Sequence, residues 1–140
     1  MNQQNVDMFI LNKGSYFPDF AIIGIREKLI DCDDKYLYEI LSTKFKNPTI
    51  GFLFSIGLGV YGIDRFYVGH CFYGIIKLLL FITFFVSCII VQLWEKVMPF
   101  LIFTCLISAI GTTIWYISDI FKISKEIKEY NYHHLLTILK

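Results

Sequence analysis

Between residues 47 and 121 the chain carries only six charged side chains: Asp64, Arg65, Lys77, Glu95, Lys96 and Asp119. This stretch restricts the fold more than any other. Two of its runs are long enough to cross a bilayer as helices, Cys71–Leu93 and residues 98–118, since a crossing takes about 20 apolar residues. A third run follows Asn47-Pro48 and reaches Gly62. It begins with an N-cap and a first-turn proline, but about 15 apolar residues fall short of a full crossing. Between the short run and the first long one lies a charged octet, Gly62-Ile63-Asp64-Arg65-Phe66-Tyr67-Val68-Gly69. A carboxylate beside a guanidinium at such a junction is costly unless it sits at a membrane surface or is paired. The flanking glycines predict a tight turn or a close helix contact.

Composition agrees. Charged residues make up 18% of the chain and hydrophobic residues 56%, whereas soluble domains average about 25% charged. A formal net charge of +1 leaves no basic stripe of the kind that binds nucleic acid. The start, Met1-Asn2-Gln3-Gln4-Asn5, lacks the basic opening and apolar run of a secretory signal, so the internal segments are expected to drive insertion. Cys32, Cys71, Cys88 and Cys105 show no Cys-x-x-Cys spacing and read as small buried hydrophobes.

The expected class is all-α: a soluble helical head over residues 1–46, a membrane domain over 47–121 and a polar tail over 122–140. In the head, Asn2 or Asn5 caps a helix carrying Val6, Phe9 and Ile10, ended by Gly14. Pro18 and Asp19 suit the start of a second helix, with Ile22, Ile25, Leu29 and Ile30 on one face. Asp31-Cys32-Asp33-Asp34 makes a turn and a cap. A third helix carries Leu37, Ile40 and Leu41 as far as Phe45. The aspartates lack the glycine and glutamate of a calcium loop, and helix capping is the preferred reading. So small a head needs support from another part of the chain or from a partner.

In the membrane domain, Ser55 and Gly59 form a small-xxx-small pair, with Gly51, Gly57 and Gly62 as further sites of close helix approach. Trp94 marks one interface, with Gln92, Glu95 and Lys96 as a polar break. Trp115 and Tyr116, beside Tyr61, Tyr67 and Tyr73, mark the other. If the long spans are antiparallel, Lys77 lies within reach of Asp119 by snorkelling. Asp64 is the rival partner, which would leave Arg65 for a headgroup phosphate. Asp119 is expected to close its span.

Gly62, Asp64, Arg65, Phe66, Tyr67 and Gly69, then Gly74-Ile75, Lys77 and Trp115 with Asp119, resemble the two-transmembrane domain family with its Asp-Arg-Phe motif. The opening Met1-Asn2-Gln3-Gln4 is similar to the head of short bacterial members. The resemblance implies a multi-pass membrane protein with no established catalytic role in the family's bacterial members, and no cofactor is expected. It also implies a single crossing between Gly74 and Asp119, where this chain has room for two, as though a membrane helix were inserted.

Two dispositions follow. If all three apolar segments cross, head and tail lie on opposite sides. If only the long pair cross, Lys44, Lys46, Arg65, Lys122, Lys125 and Lys128 share one side, in better agreement with the positive-inside rule, and residues 48–63 dip into or lie along the interface. The expected placement is the cell membrane, with head and tail cytoplasmic. The leading functional reading is a non-enzymatic membrane protein whose head and charged turn dock a partner or set a membrane assembly. The alternative is a small channel or transporter subunit, although Thr83, Ser87, Gln92, Thr104, Ser108, Thr112 and Thr113 offer little polar lining. An enzyme would need a nucleophile with a base, paired carboxylates or metal ligands. His70 stands alone, and His133-His134 lie in the tail, so no catalytic or metal residue is assigned. The expected partners are therefore the lipid bilayer and a protein or a second copy, with no nucleic acid.

Overall fold

A computed structural model describes residues 2–33, 35–93 and 99–139. Among them every regular element is helical. Trp94, Glu95, Lys96 and Met98, on which the polar break and second interface rest, lie outside the described residues, as does Asp34. The chain forms two compact units, one of Met1–Pro48 with Ser124–Lys140 and one of Thr49–Ile123.

In the first unit, α1 (Gln3–Lys13) starts at Asn2, whose side chain accepts from the Gln4 amide at 3.3 Å. At Gly14 the chain tightens into a 3-10 turn, Gly14–Tyr16, in right-handed conformation. Pro18 caps a second such turn, Asp19–Ala21, so it precedes α2 (Ile22–Asp31) instead of starting it. Ile25 and Leu29 are buried, while Ile30 turns outward. α3 (Lys35–Ser42) ends before Phe45, and the Thr43 hydroxyl and amide both donate to the Glu39 carbonyl in its last turn. Ile40 is buried and Leu41 exposed, and Phe45 enters the core from the segment beyond α3. There its ring meets those of Phe9 and Phe17 at 6.2 and 5.1 Å.

The core joins Val6, Phe9, Phe17, Ala21, Ile25, Leu29, Ile40 and Phe45 with Leu135 from the end of the chain. Residues 122–140 are therefore no separate tail. α7 runs unbroken over Pro99–Ile138. At about 1.5 Å per residue it extends well past the roughly 30 Å of a bilayer's hydrocarbon, and its last part supplies the missing wall of the head. Asn131, wholly buried, locks that wall in place. Its amide nitrogen donates to the Tyr16 and Lys46 carbonyls at 3.0 and 2.8 Å, and its oxygen accepts from the Lys46 amide at 3.0 Å.

The second unit begins with α4 (Pro48–Leu58) and a 3-10 turn, Gly59–Tyr61. Together they are shorter than a bilayer is thick. Gly62, at φ 78°, reverses the chain. The octet that reads as a turn is a short helix, α5 (Ile63–Val68). Gly69, at φ 106°, ends it: the Gly69 amide donates to the Phe66 carbonyl and the His70 amide to the Arg65 carbonyl, the pattern of a Schellman cap. A side chain at Gly62 would be strained by its φ, and its Cβ would stand 2.7 Å from the Gly74 carbonyl oxygen. A Cβ at Gly74 would stand 3.0 Å from the Phe66 ring. These glycines seat α5 against α6 (Cys71–Leu93). Gly59 likewise admits the Tyr116 ring, whose hydroxyl donates to the Ile56 carbonyl at 2.8 Å. Gly57 faces open space, so it is no packing site.

α6 and the first part of α7 are antiparallel. As the position on α6 advances from Tyr73 to Cys88, its partner on α7 retreats from Trp115 to Cys105. The hydroxyls of Thr83, Thr104, Ser108, Thr112 and Thr113 donate to carbonyls one turn back in their own helices at 2.7–2.9 Å.

Candidate functional site

The centre of the second unit is a cluster of four charged side chains from three helices. Asp64 and Arg65 come from α5, Lys77 from α6 and Asp119 from α7. The octet's geometry places the first two. Gly62 and Gly69 bend the chain sharply at both ends of α5, so consecutive residues near its start face inward. Lys77 lies about two turns into α6, and Asp119 follows Trp115 by about one turn, where that ring meets Tyr73 at 6.5 Å.

Asp119 is the hub. Its Oδ2 accepts from Lys77 Nζ at 2.6 Å and from Arg65 Nε at 3.1 Å, while Oδ1 accepts from Arg65 Nη2. Arg65 thus grips the carboxylate with two donors, the strong planar geometry of guanidinium and carboxylate. Lys77 Nζ also donates to Asp64, 3.1 Å from Oδ2 and 3.4 Å from Oδ1. Lys77 and Asp64 are wholly buried, Asp119 is 1% exposed and Arg65 8%. Two cations and two anions therefore leave the cluster neutral, which is the condition for keeping charge in so dry a place.

The structure brings Lys77 together with both carboxylates that compete for it in the sequence. Arg65, expected to turn to headgroup phosphate, is engaged by Asp119. Nor does Asp119 close a helix: α7 continues through it, and its carboxylate joins three helices. The rest of the octet packs. Phe66 lies against Gly74, and the Tyr67 ring meets Phe54 edge-on at 5.4 Å. His70, His133 and His134 are exposed, each beside an aromatic ring. Among the described residues no group of three or more His, Cys, Asp or Glu side chains is placed to hold a metal ion.

Sequence reasoning missed the Arg65–Asp119 grip, although Tyr73 against Trp115 sets the register that implies it. It also missed Asn131, for which an isolated polar residue on a mixed helix offers no signal. A contact between Cys88 and Cys105 was missed as well, because the two are far apart in the chain.

Chemically, the cluster is a clasp: it holds three helices together and leaves its carboxylates committed to cations. Helices long and apolar enough to cross a membrane, Cys71–Leu93 and the first part of Pro99–Ile138, flank it. These features define a small helical membrane protein. The family model described as TM2 domain matches residues 44–94, a stretch that holds α4, α5 and α6 and three of the four clasp charges. Asp119 lies beyond the match. No curated protein matches the chain, and no solved structure does.

Proposed function

We propose that this is a non-enzymatic membrane protein with two crossings, placed in the cell membrane, whose cytoplasmic head docks a protein partner. The observation that carries the topology is the shared core of the first unit. Residues 1–48, which precede every apolar segment, pack with Leu135 and Asn131, which follow them all. Chain segments in one core lie on one side of a bilayer, so the number of crossings is even. α6 and α7 are the two crossings, and α4 with its 3-10 turn enters and returns. Lys44, Lys46, Lys122, Lys125 and Lys128 then share a side, as the positive-inside rule favours.

The clasp's charges satisfy one another, which supports a structural part for the octet and leaves docking to the head. Met8 and Leu41 are exposed around a pocket that Asn5, Phe9, Asn12, Lys13 and Ile40 also line, and Leu11, 84% exposed, lies beside it in the chain. An apolar patch of this kind on a small unit marks an interaction surface. The channel reading has less support, since the hydroxyls within the spans are turned back onto their own helices.

Cross-linking in native membranes followed by mass spectrometry tests the docking. The expected result is one protein linked to residues around Met8, and its loss in Leu11→Lys. Links only between copies of this chain would make the partner a second copy, and no links would overturn docking. Impermeant labelling of single cysteines placed at positions 5 and 138 tests the topology. Reaction from opposite sides of the membrane would overturn the two-crossing reading.

A further inference from the structure

Cys88 on α6 and Cys105 on α7 stand with their sulfurs 3.4 Å apart, both half-buried. As small hydrophobes they would need no such register. The seam between these helices is built of small side chains here. Ser87 and Ser108 are buried next to the pair, and the Ser108 hydroxyl donates to the Cys105 carbonyl at 3.1 Å. Close backbone approach of this kind is how helices associate in lipid, and it is also what brings two sulfurs together. Cys88 lies about 8 Å from the end of α6 and Cys105 about 9 Å from the start of α7, at the helical rise per residue. Both are at the end of the hairpin away from the Asp119 clasp.

We propose that Cys88 and Cys105 are a disulfide-forming pair that staples α6 to α7 at the end opposite the clasp. The assignment rests on the topology given above, in which that end faces the oxidising side of the membrane, where disulfides form and persist. Bonding requires the sulfurs to close to about 2.05 Å, a movement that small side-chain rotations supply. The oxidant is a disulfide donor of that compartment. One cysteine, as thiolate, attacks a donor sulfur, giving a mixed disulfide and releasing the donor's first thiol. The second cysteine, as thiolate, attacks the first cysteine's sulfur in that mixed disulfide, forms the Cys88–Cys105 bond and releases the donor's second thiol. Two electrons and two protons pass to the donor, which leaves as a dithiol. The hairpin is then held at both ends, by charge at the Asp119 end and by a covalent bond at the other.

The test counts free thiols on the full chain. Membranes prepared without reductant are quenched with acid, denatured and treated with a maleimide polymer that adds mass at each thiol. Of the four cysteines, Cys32 and Cys71 are expected to react at once, and all four after reduction. Cys88→Ser and Cys105→Ser should each show three reactive thiols without reduction, and the Cys32→Ser, Cys71→Ser double variant none. Four reactive thiols in the unreduced natural chain would overturn the proposal. Oxidation of those same membranes with copper-phenanthroline then separates the causes of failure. Rapid linkage of Cys88 to Cys105 would leave the hairpin standing and remove only its oxidation in the cell. Absence of linkage would remove the hairpin register as well.

Discussion

In the head, the deepest side chains include Val6, Phe17, Leu29, Ile127 and Leu135 with the neutral Asn131, whereas in the membrane unit they include the charged Lys77, Asp64 and Asp119. The contrast follows from the solvent. In water, burying apolar surface drives association at about 25 cal/mol per Å², and the head gathers the rings of Phe9, Phe17 and Phe45 into its core. In lipid that drive vanishes, because the acyl chains are as apolar as leucine. Helices there are held by close packing at small residues and by polar contacts that the surroundings cannot satisfy. The same chain therefore buries mainly apolar groups in one unit and ionic groups in the other. The surface charges of the head, such as Arg26 with Asp7 at 2.9 Å, stay half-exposed.

The largest effect is expected at the hub. Asp119→Ala leaves Arg65 and Lys77 buried without their shared anion, and breaking a buried pair in this way costs about 3–5 kcal/mol. Unfolding in detergent should show that loss. The double change Lys77→Met with Asp119→Asn should cost less than the sum of the two singles, and strict additivity would mean that the side chains are not coupled. Next comes Leu29→Ala in the head, with an expected loss of about 3 kcal/mol from transfer and cavity terms. Limited proteolysis should then open the head while the Tyr73–Trp115 register survives, as read by quenching of Trp115 fluorescence. Equal loosening of both units would mean that they do not differ in the way described. The smallest effect belongs to Asp7→Asn, below about 1 kcal/mol and vanishing in high salt, since an exposed pair is weak and screened. An effect that persists in high salt would place that pair with the buried kind.

Much of the architecture was legible in the chain. Asn2 as a cap, Cys71–Leu93 as a span and the glycine-flanked octet all announce themselves locally, through propensity, run length and backbone demand. Reading failed where a residue's role depends on a distant partner. Asp119 looks like the polar end of a span, and residues 122–140 look like a solvated tail, because their charges and apolar residues alternate. Only the presence of the head beside them turns Leu135 into core and Asn131 into a three-bond clasp.

Residue order is enough to make this protein helical, to give two helices the length to cross a bilayer, and to require that four charges be reconciled with an apolar setting. Those are consequences of composition and spacing along one dimension. The tertiary structure alone decided how the charges are reconciled: Lys77 serves two carboxylates, Asp119 serves two cations, and the octet is a buried helix instead of an exposed turn. Pairing energy depends on distance and burial. Neither can be read from residue order until antiparallel helices, a reversed glycine and a returning α7 bring residues 54 positions apart into contact.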